Sequence, residues 1–291
     1  MASWTTAQIP DQTGRTVVVT GANTGLGAAT ARALAAAGAQ VVLACRNTAK
    51  ADAAAATMSG DVRVESLDLA DLASVRAFAQ RTGEIDVLVN NAGVMAIPFA
   101  RTADGFEMQI GTNHLGHFAL TGLLLDRIRG RVVTVASVGH RIGRIDLDDL
   151  SFERRPYRRW TAYGQSKLAN LMFTYELQRR LDAAGSPVHA MAAHPGYSST
   201  DLQSHTNSAP LHALMVLGNV VLGQSADMGA LPILFAATDP AAQGGAYYGP
   251  NHLGGLRGYP SRVPSSRASH DLTVAADLWA LSQKLTGVSA L

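Results

Sequence analysis

Tyr163 and Lys167 stand four residues apart in a stretch with helical periodicity, so their side chains share one helix face and can reach a common ligand. A phenol loses its proton near pH ~10, and acid–base work near neutrality asks for roughly 4 kcal/mol of preferential stabilisation of the phenolate. A neighbouring ammonium supplies this electrostatically. Ser137 closes the β-branched run Arg131 to Ala136, and at a strand's carboxyl end it can donate a hydrogen bond to a carbonyl oxygen. Together the three residues suit proton transfer at an oxygen on a reacting carbon. Taken singly, a Tyr and a Lys four apart is a common accident of helices, and a strand-end serine says less still.

Such residues need a reactant beside them. Thr20-Gly21-Ala22-Asn23-Thr24-Gly25-Leu26-Gly27 lies directly behind Thr16-Val17-Val18-Val19 and before an Ala-rich segment from Ala28 to Ala37. That order reads strand, glycine turn, helix, and it offers backbone N–H groups and a helix dipole to a phosphate. Gly21 permits the tight turn, Gly25 lets a pyrophosphate approach, and Gly27 packs helix on strand. The spacing Gly-x-x-x-Gly-x-Gly differs from the common Gly-x-Gly-x-x-Gly, so an ordinary glycine-rich turn is the competing reading. After the second strand, Gln40 to Cys45, comes Arg46, with no carboxylate before Asp52. A cation there pairs with the 2′-phosphate of NADP, where an acid would bind the ribose hydroxyls of NAD. A surface arginine ending a strand is the bland alternative.

The remaining elements alternate. Helical spacing over 48–58 leads to the strand Val62 to Leu67 and then Asp68-Leu69; a helix over Asp71 to Arg81 precedes the strand Ile85 to Val89, closed by Asn90-Asn91-Ala92-Gly93. Gly105 to Arg129 reads as one long helix carrying Asn113, His114 and His117. A helix over Thr161 to Leu181, a strand over Val188 to Ala193 ending at His194-Pro195-Gly196, a helix over Ala226 to Ala237 and a short strand over Ala246 to Tyr248 follow. Gly249 to His270 reads as a loop, and Asp271 to Leu285 as a helix covering either the substrate entrance or a subunit contact. The pattern predicts an α/β fold, a Rossmann-like doubly wound parallel sheet with helices on both faces. One domain is expected, with a core over 13–249 and a C-terminal extension over 250–291.

Composition narrows the class. Of 291 residues 47% are hydrophobic and 16% charged, with net charge +2, which fits a globular protein and gives no reason to invoke nucleic acid. Cys45 is the only cysteine, which removes internal disulfides and multi-cysteine metal sites. With no basic, apolar leader in Met1 to Thr13 and no stretch long enough to span a bilayer, the expected compartment is the cytoplasm. No His-x-x-x-His pattern is present, and the chemistry asks for no metal.

The ordered set Thr20 to Gly27, Asn90-Asn91-Ala92-Gly93, Asn113, Ser137, Tyr163-Gly164-Gln165-Ser166-Lys167 and Pro195-Gly196 resembles the short-chain dehydrogenase/reductase superfamily over about Gly14 to Gly249. Gly21 to Gly25 and Ala44-Cys45-Arg46 resemble more closely the branch of retinol dehydrogenases and protochlorophyllide reductases, which generally prefers NADP. The resemblance implies hydride transfer between a nicotinamide and a small-molecule carbonyl or alcohol, with Tyr163 as acid/base, Lys167 lowering its pKa and holding the nicotinamide ribose, Ser137 steadying the carbonyl and Asn113 joining a proton relay. It implies a cofactor site of Gly21, Asn23, Thr24, Gly25, Leu26, Gly27, Arg46, Asp68 with Leu69, Asn91, Ala92, Gly93, Tyr163, Lys167, Pro195, Gly196 and Thr200. The cofactor is expected to be NADP(H), with NAD(H) the alternative if Arg46 is only a surface charge. Pairing through the helices of Asn113 and Tyr163 would give a homodimer or homotetramer. The rival reading is a non-catalytic NADP-binding redox sensor.

Two segments are free to set specificity. Val138 to Ala162 mixes Arg141, Arg144, Arg154, Arg155, Arg158 and Arg159 with Asp146, Asp148, Asp149 and Glu153. It is either an internally paired surface or a site for an acidic substrate. Tyr197 to Gln224 carries an apolar stripe from Leu211 to Leu222, suited to a lid over a bulky apolar substrate or to packing on the core.

Overall fold

The structure, a computed structural model, describes residues 3–196 and 224–289. Among them an eight-stranded sheet runs in the order β3-β2-β1-β4-β5-β6-β7-β8. The strands are β1 Thr16–Thr20, β2 Gln40–Cys45, β3 Val62–Ser66, β4 Ile85–Asn90, β5 Ile128–Val135, β6 His189–Ala193, β7 Tyr247–His252 and β8 Arg257–Arg262. β1 to β7 pair in parallel. Alternation along these apolar strands feeds two cores. Val17, Val19, Leu43, Val89 and Val133 face one side, under α1 Gly25–Ala36 and α7 Ala226–Thr238. Val18, Val42, Leu88 and Val132 face the other. Burial on both faces is why these strands read as continuous β-branched runs.

Two expectations from the sequence change. The stretch 105–129 is not one helix: it begins at α4 Met108–Ile110, widens into a π-turn over Gly111–Leu115 and continues as α5 Gly116–Leu124. The start is fixed by Glu107, whose buried carboxylate accepts from the N–H groups of Gln109 and Ile110 at 2.9 Å each. A wide turn inside a helix commonly marks a functional position, and this one carries Asn113.

The tail over 249–270 is not a loop either. β7 extends through Pro250, and β8 returns antiparallel at the sheet's edge, with Pro250 opposite Pro260. Prolines are tolerated there because an edge has pairing positions that need no N–H. The turn between the strands uses Gly254 and Gly255 at φ 67° and 92°. The sheet is therefore mostly, not wholly, parallel.

The last helix, α8 Leu272–Thr286, starts at Asp271, which accepts from the N–H groups of Thr273 and Val274, and ends at Gly287 with φ 63°. It lies against α5 and α6 Arg159–Ala183. Trp279, 2% exposed, stacks on Phe173 at 5.8 Å and meets Phe118 edge-on at 5.0 Å, while the Arg180 guanidinium sits 4.6 Å from its ring. The helices of Asn113 and Tyr163 thus each carry one face covered from their own chain. No helix among the described residues is long and apolar enough to cross a membrane.

Trp279→Ala removes the side chain that ties α8 to both helices. Urea unfolding should show a loss of about 3–5 kcal/mol, whereas an unchanged midpoint would mean that α8 does not share the cooperative core.

Candidate active site

The carboxyl ends of β1, β4, β5 and β6 bring the sequence-identified residues to one edge of the sheet. At the end of β1, Gly21 N–H donates to the Ala44 carbonyl at 2.8 Å. Gly21 has φ 64°, and a Cβ there would lie 2.9 Å from Ala92; one on Gly27 would lie 2.5 Å from the Gly21 carbonyl and from Asn91 Nδ2. These positions admit glycine because backbone fills the space a side chain would take. Thr24 precedes α1 without a side-chain cap bond, so the first-turn N–H groups lack that partner and can face an anion. Asn23 is half-buried and Leu26 half-buried beside them, whereas Thr24 is exposed.

Asn91 binds this turn to β4. Its Nδ2 donates to the Thr20 carbonyl at 2.7 Å, and the N–H groups of Asn91 and Ala92 both donate to Thr20 Oγ1 at 2.9 Å. Thr20 Oγ1 also lies 2.9 Å from His117 Nε2, and His117 Nδ1 lies 3.0 Å from the Asn113 carbonyl. A carbonyl only accepts, so Nδ1 carries the proton, Nε2 accepts, and the Thr20 hydroxyl donates to it. Burial pushes the imidazole pKa down to about 4, aided by the Lys167 charge, so this ring is neutral near pH 7. Sequence reasoning gives His117 no role; its place one helical turn after Asn113 is the only local signal.

Asn113 is fully buried. Its Oδ1 accepts from Val94 N–H at 2.8 Å, and its Nδ2 donates to the Val94 carbonyl and to Ser166 Oγ at 2.9 Å each. It therefore clamps the segment after β4 to α6. Gly93 lies under it: a Cβ there would meet Asn113 Oδ1 at 3.0 Å and Lys167 Nζ at 3.6 Å.

Tyr163, Lys167 and Ser137 gather beside this clamp. Lys167, 5% exposed, donates from Nζ to the Val135 carbonyl at 2.9 Å, with Nζ 5.9 Å from the centre of the Tyr163 ring. Burial lowers its pKa to about 8. Burial also pushes the Tyr163 phenol up, opposed by a hydrogen bond from the Ser137 side chain. In this arrangement the lysine bonds to backbone rather than to the phenol, so its charge acts on the Tyr163 proton only through space. Ser137 Oγ accepts from Gly139 N–H at 3.1 Å, and a Cβ on Gly139 would lie 2.9 Å from Tyr163 Cε1. Gly139 is thus what lets the segment after Ser137 pass close to the phenol.

The other named residues lie around this centre. Arg46 is exposed at the end of β2, with no ion-pair partner among the described residues. Asp68 is half-buried and caps its own turn by accepting from Ala70 N–H at 2.9 Å, and Leu69 is buried. Pro195 and Gly196 follow β6; Gly196 has φ 72°, and Gln224 donates to the Pro195 carbonyl at 2.6 Å. Thr200 and the apolar stripe over 211–222 lie outside the described residues. The acidic and basic residues of 138–162 are partly paired: Arg155 meets Asp146 and Asp149 of the same segment at 3.6 Å each, and Glu153 meets Arg101, outside it, at 3.1 Å.

Comparison with known proteins adds the family. A family model for short chain dehydrogenases matches residues 15–210. Human retinol dehydrogenase 13 is 42% identical over 95% of this chain and 86% of its own. Human retinol dehydrogenase 12 is 48% identical over 70% of this chain and 66% of its own. A crystal structure of an uncharacterised protein from Mycobacterium paratuberculosis is 53% identical, covers 100% of both chains and superposes with a TM-score of 0.88. A Beutenbergia cavernae chain assigned as an NAD(P)-dependent gluconate 5-dehydrogenase, with NADP bound at low occupancy, is 28% identical over 81% of this chain and 94% of its own, with a TM-score of 0.62.

The buried imidazoles set a pH dependence. Burial lowers His114 and His194 to about 3 and His117 to about 4. They stay neutral when folded and take up protons on unfolding below about pH 6.5, so their contribution is full above that value and is lost as pH falls toward 4. Three such groups predict a loss of roughly 4 kcal/mol between pH 7 and 5.5. Urea midpoints across that range, with calorimetric proton uptake near three, check this; a flat profile contradicts it.

Proposed function

The chain belongs to the short chain dehydrogenase family and to its retinol dehydrogenase-like branch, and from that premise we propose that it is an NADP(H)-dependent oxidoreductase for bulky apolar alcohols or carbonyl compounds, with Tyr163 as acid/base. The observation that carries this reading is the convergence of Ser137, Tyr163, Lys167 and Asn113, drawn from three separate elements, on one edge of the sheet beside a glycine cradle. When bound, NADP(H) supplies the hydride acceptor or donor.

The cradle fits that cofactor. Gly21, Gly25 and Gly27 leave room for a pyrophosphate at the start of α1; Asp68 and Leu69 would hold the adenine, Asn91 to Gly93 the adjoining part of the cofactor, and Pro195 and Gly196 the nicotinamide. Arg46, exposed and without an ion-pair partner among the described residues, would pair with a 2′-phosphate, which an uncharged or acidic residue there would not hold. Lys167 holds the nicotinamide ribose.

In reduction Tyr163 Oη gives its proton to the carbonyl oxygen, while the Ser137 hydroxyl donates a hydrogen bond to the same oxygen. Burial keeps the phenol protonated near neutrality, as a proton donor must be. In oxidation the phenol must release that proton first, and the Lys167 ammonium 5.9 Å from its ring is the charge that eases the loss. Asn113 positions rather than reacts: its side-chain amide is spent on Val94 and Ser166. An apolar substrate is supported by Trp160, 48% exposed and edge-on to Tyr163 at 6.0 Å, and by Ile142, 61% exposed beside Gly164. The names of the relatives, which state retinol, point the same way.

Tyr163→Phe is expected to reduce turnover of an aldehyde substrate by at least about 100-fold while leaving NADPH affinity, read by fluorescence, near the wild-type value. Turnover that survives the exchange would transfer the acid/base role elsewhere; a response to a protein partner that survives while no turnover is found in the wild type would favour the sensor. Arg46→Ser should weaken NADPH about 10- to 100-fold and NADH much less. Equal losses for both cofactors would remove Arg46 from the 2′-phosphate.

A further inference from the structure

A cavity of about 310 Å³ opens beyond the carboxyl ends of β5 and β6, against the β7–β8 hairpin, bounded by Val138, Arg141, His194, Tyr247, Asn251 and Arg262 among others. It adjoins the reacting centre through the chain itself, since Val138 follows Ser137 and His194 precedes Pro195. It is not the 2′-phosphate site: five strand spacings separate β7 from β2, where Arg46 stands, or roughly 24 Å at the usual spacing.

Its polar groups are nearly all donors. His194 is 2% exposed, and its Nδ1 accepts from Gly196 N–H at 3.2 Å. The proton of the neutral ring is therefore on Nε2, which has no partner among the described residues. Tyr247 is 3% exposed, and its hydroxyl is buried without a partner. Leaving such a group unpaired is costly, and it marks a position where a ligand can complete the bonding. Asn251 Oδ1 accepts from Tyr259 N–H at 3.0 Å, which leaves its NH₂ as the available end. Arg141 and Arg262, both exposed, add two guanidinium groups, and among the described residues no carboxylate lines the space. Within the segment after Ser137, Arg155 is taken up by Asp146 and Asp149, whereas Arg141 stands at the cavity.

We propose that this cavity receives a carboxylate of the substrate, so that the enzyme acts on an apolar carbonyl compound or alcohol bearing an acid group. Convergent donors, two arginines and no competing acid are the chemistry that recognises such an anion. The assignment rests on the oxidoreductase reading and deepens it by naming the substrate's second functional group.

The test uses the full chain with NADPH and two aldehyde acids, 6-oxohexanoate and 9-oxononanoate, each against its methyl ester. Calorimetry with nonanoate and nonan-1-ol gives binding to the NADPH-loaded protein, with which neither can react, independently of turnover. For at least one length the acid should exceed its ester in kcat/KM by about tenfold. In Arg141→Gln/Arg262→Gln that ratio should fall toward one, through KM, and nonanoate affinity should fall with it. Tyr247→Phe, which keeps the ring and its packing, should lower nonanoate affinity more than nonanol affinity. Esters turned over as well as the acids, together with nonanoate bound no more tightly than nonanol, would overturn the proposal and leave the oxidoreductase reading standing. If no aldehyde is reduced, that reading fails, and calorimetry decides the cavity alone: arginine-dependent binding of nonanoate supports it, and none overturns it.

Discussion

The site depends on one buried amide. Asn113 spends its side chain on both polar groups of Val94 and on Ser166, so a segment leaving β4 and a helix beginning after residue 158 are held at fixed separation. Its carbonyl is tied to His117, which is tied through Thr20 to the turn at the end of β1. A side chain can do this because the π-turn over Gly111–Leu115 places the asparagine where an unbroken helix would place a different residue. The chain of bonds runs from the glycine turn to the tyrosine helix without crossing water, and in such a setting each bond is stronger and each unmet group costlier.

Burial sets the electrostatics in that space. Lys167 has no carboxylate beside it among the described residues, and burial alone draws its pKa to about 8; the phenol moves the opposite way for the same reason. A poorly solvated ammonium beside a poorly solvated phenol is a pair in which a small movement, or one new charge nearby, changes where the proton rests. The neutral histidines around it are fixed in single tautomers by backbone partners: His140 donates from Nδ1 to the Ser137 carbonyl at 2.6 Å and accepts at Nε2 from Ser266 N–H at 3.0 Å. They act as hydrogen-bonding struts, and His140 straps the segment after Ser137 to the C-terminal tail.

That tail is structural as well as peripheral. β8 extends the sheet, α8 fills the outer side of α5 and α6, and both place residues from beyond 250 around or behind the site. The family match ends at residue 210, before any of these elements.

By itself the sequence determined the strands β1 to β6, the glycine turn before α1 and the pairing of Tyr163 with Lys167 on one helix face, because each is written in spacing over a few residues: apolar runs, glycines before a helix, an interval of four. Asn113 and Ser137 were legible as motif positions but not as neighbours. Only the tertiary structure decided that Asn113 meets Val94 and Ser166, that His117 meets Thr20, that β8 closes the edge, and that His194, Tyr247 and Arg262 share a cavity. These contacts join residues up to about a hundred positions apart, and no local periodicity records them. β8 in particular is hidden by Gly258 and Pro260, residues that argue against a strand until an edge supplies a place where their missing bonds are not needed.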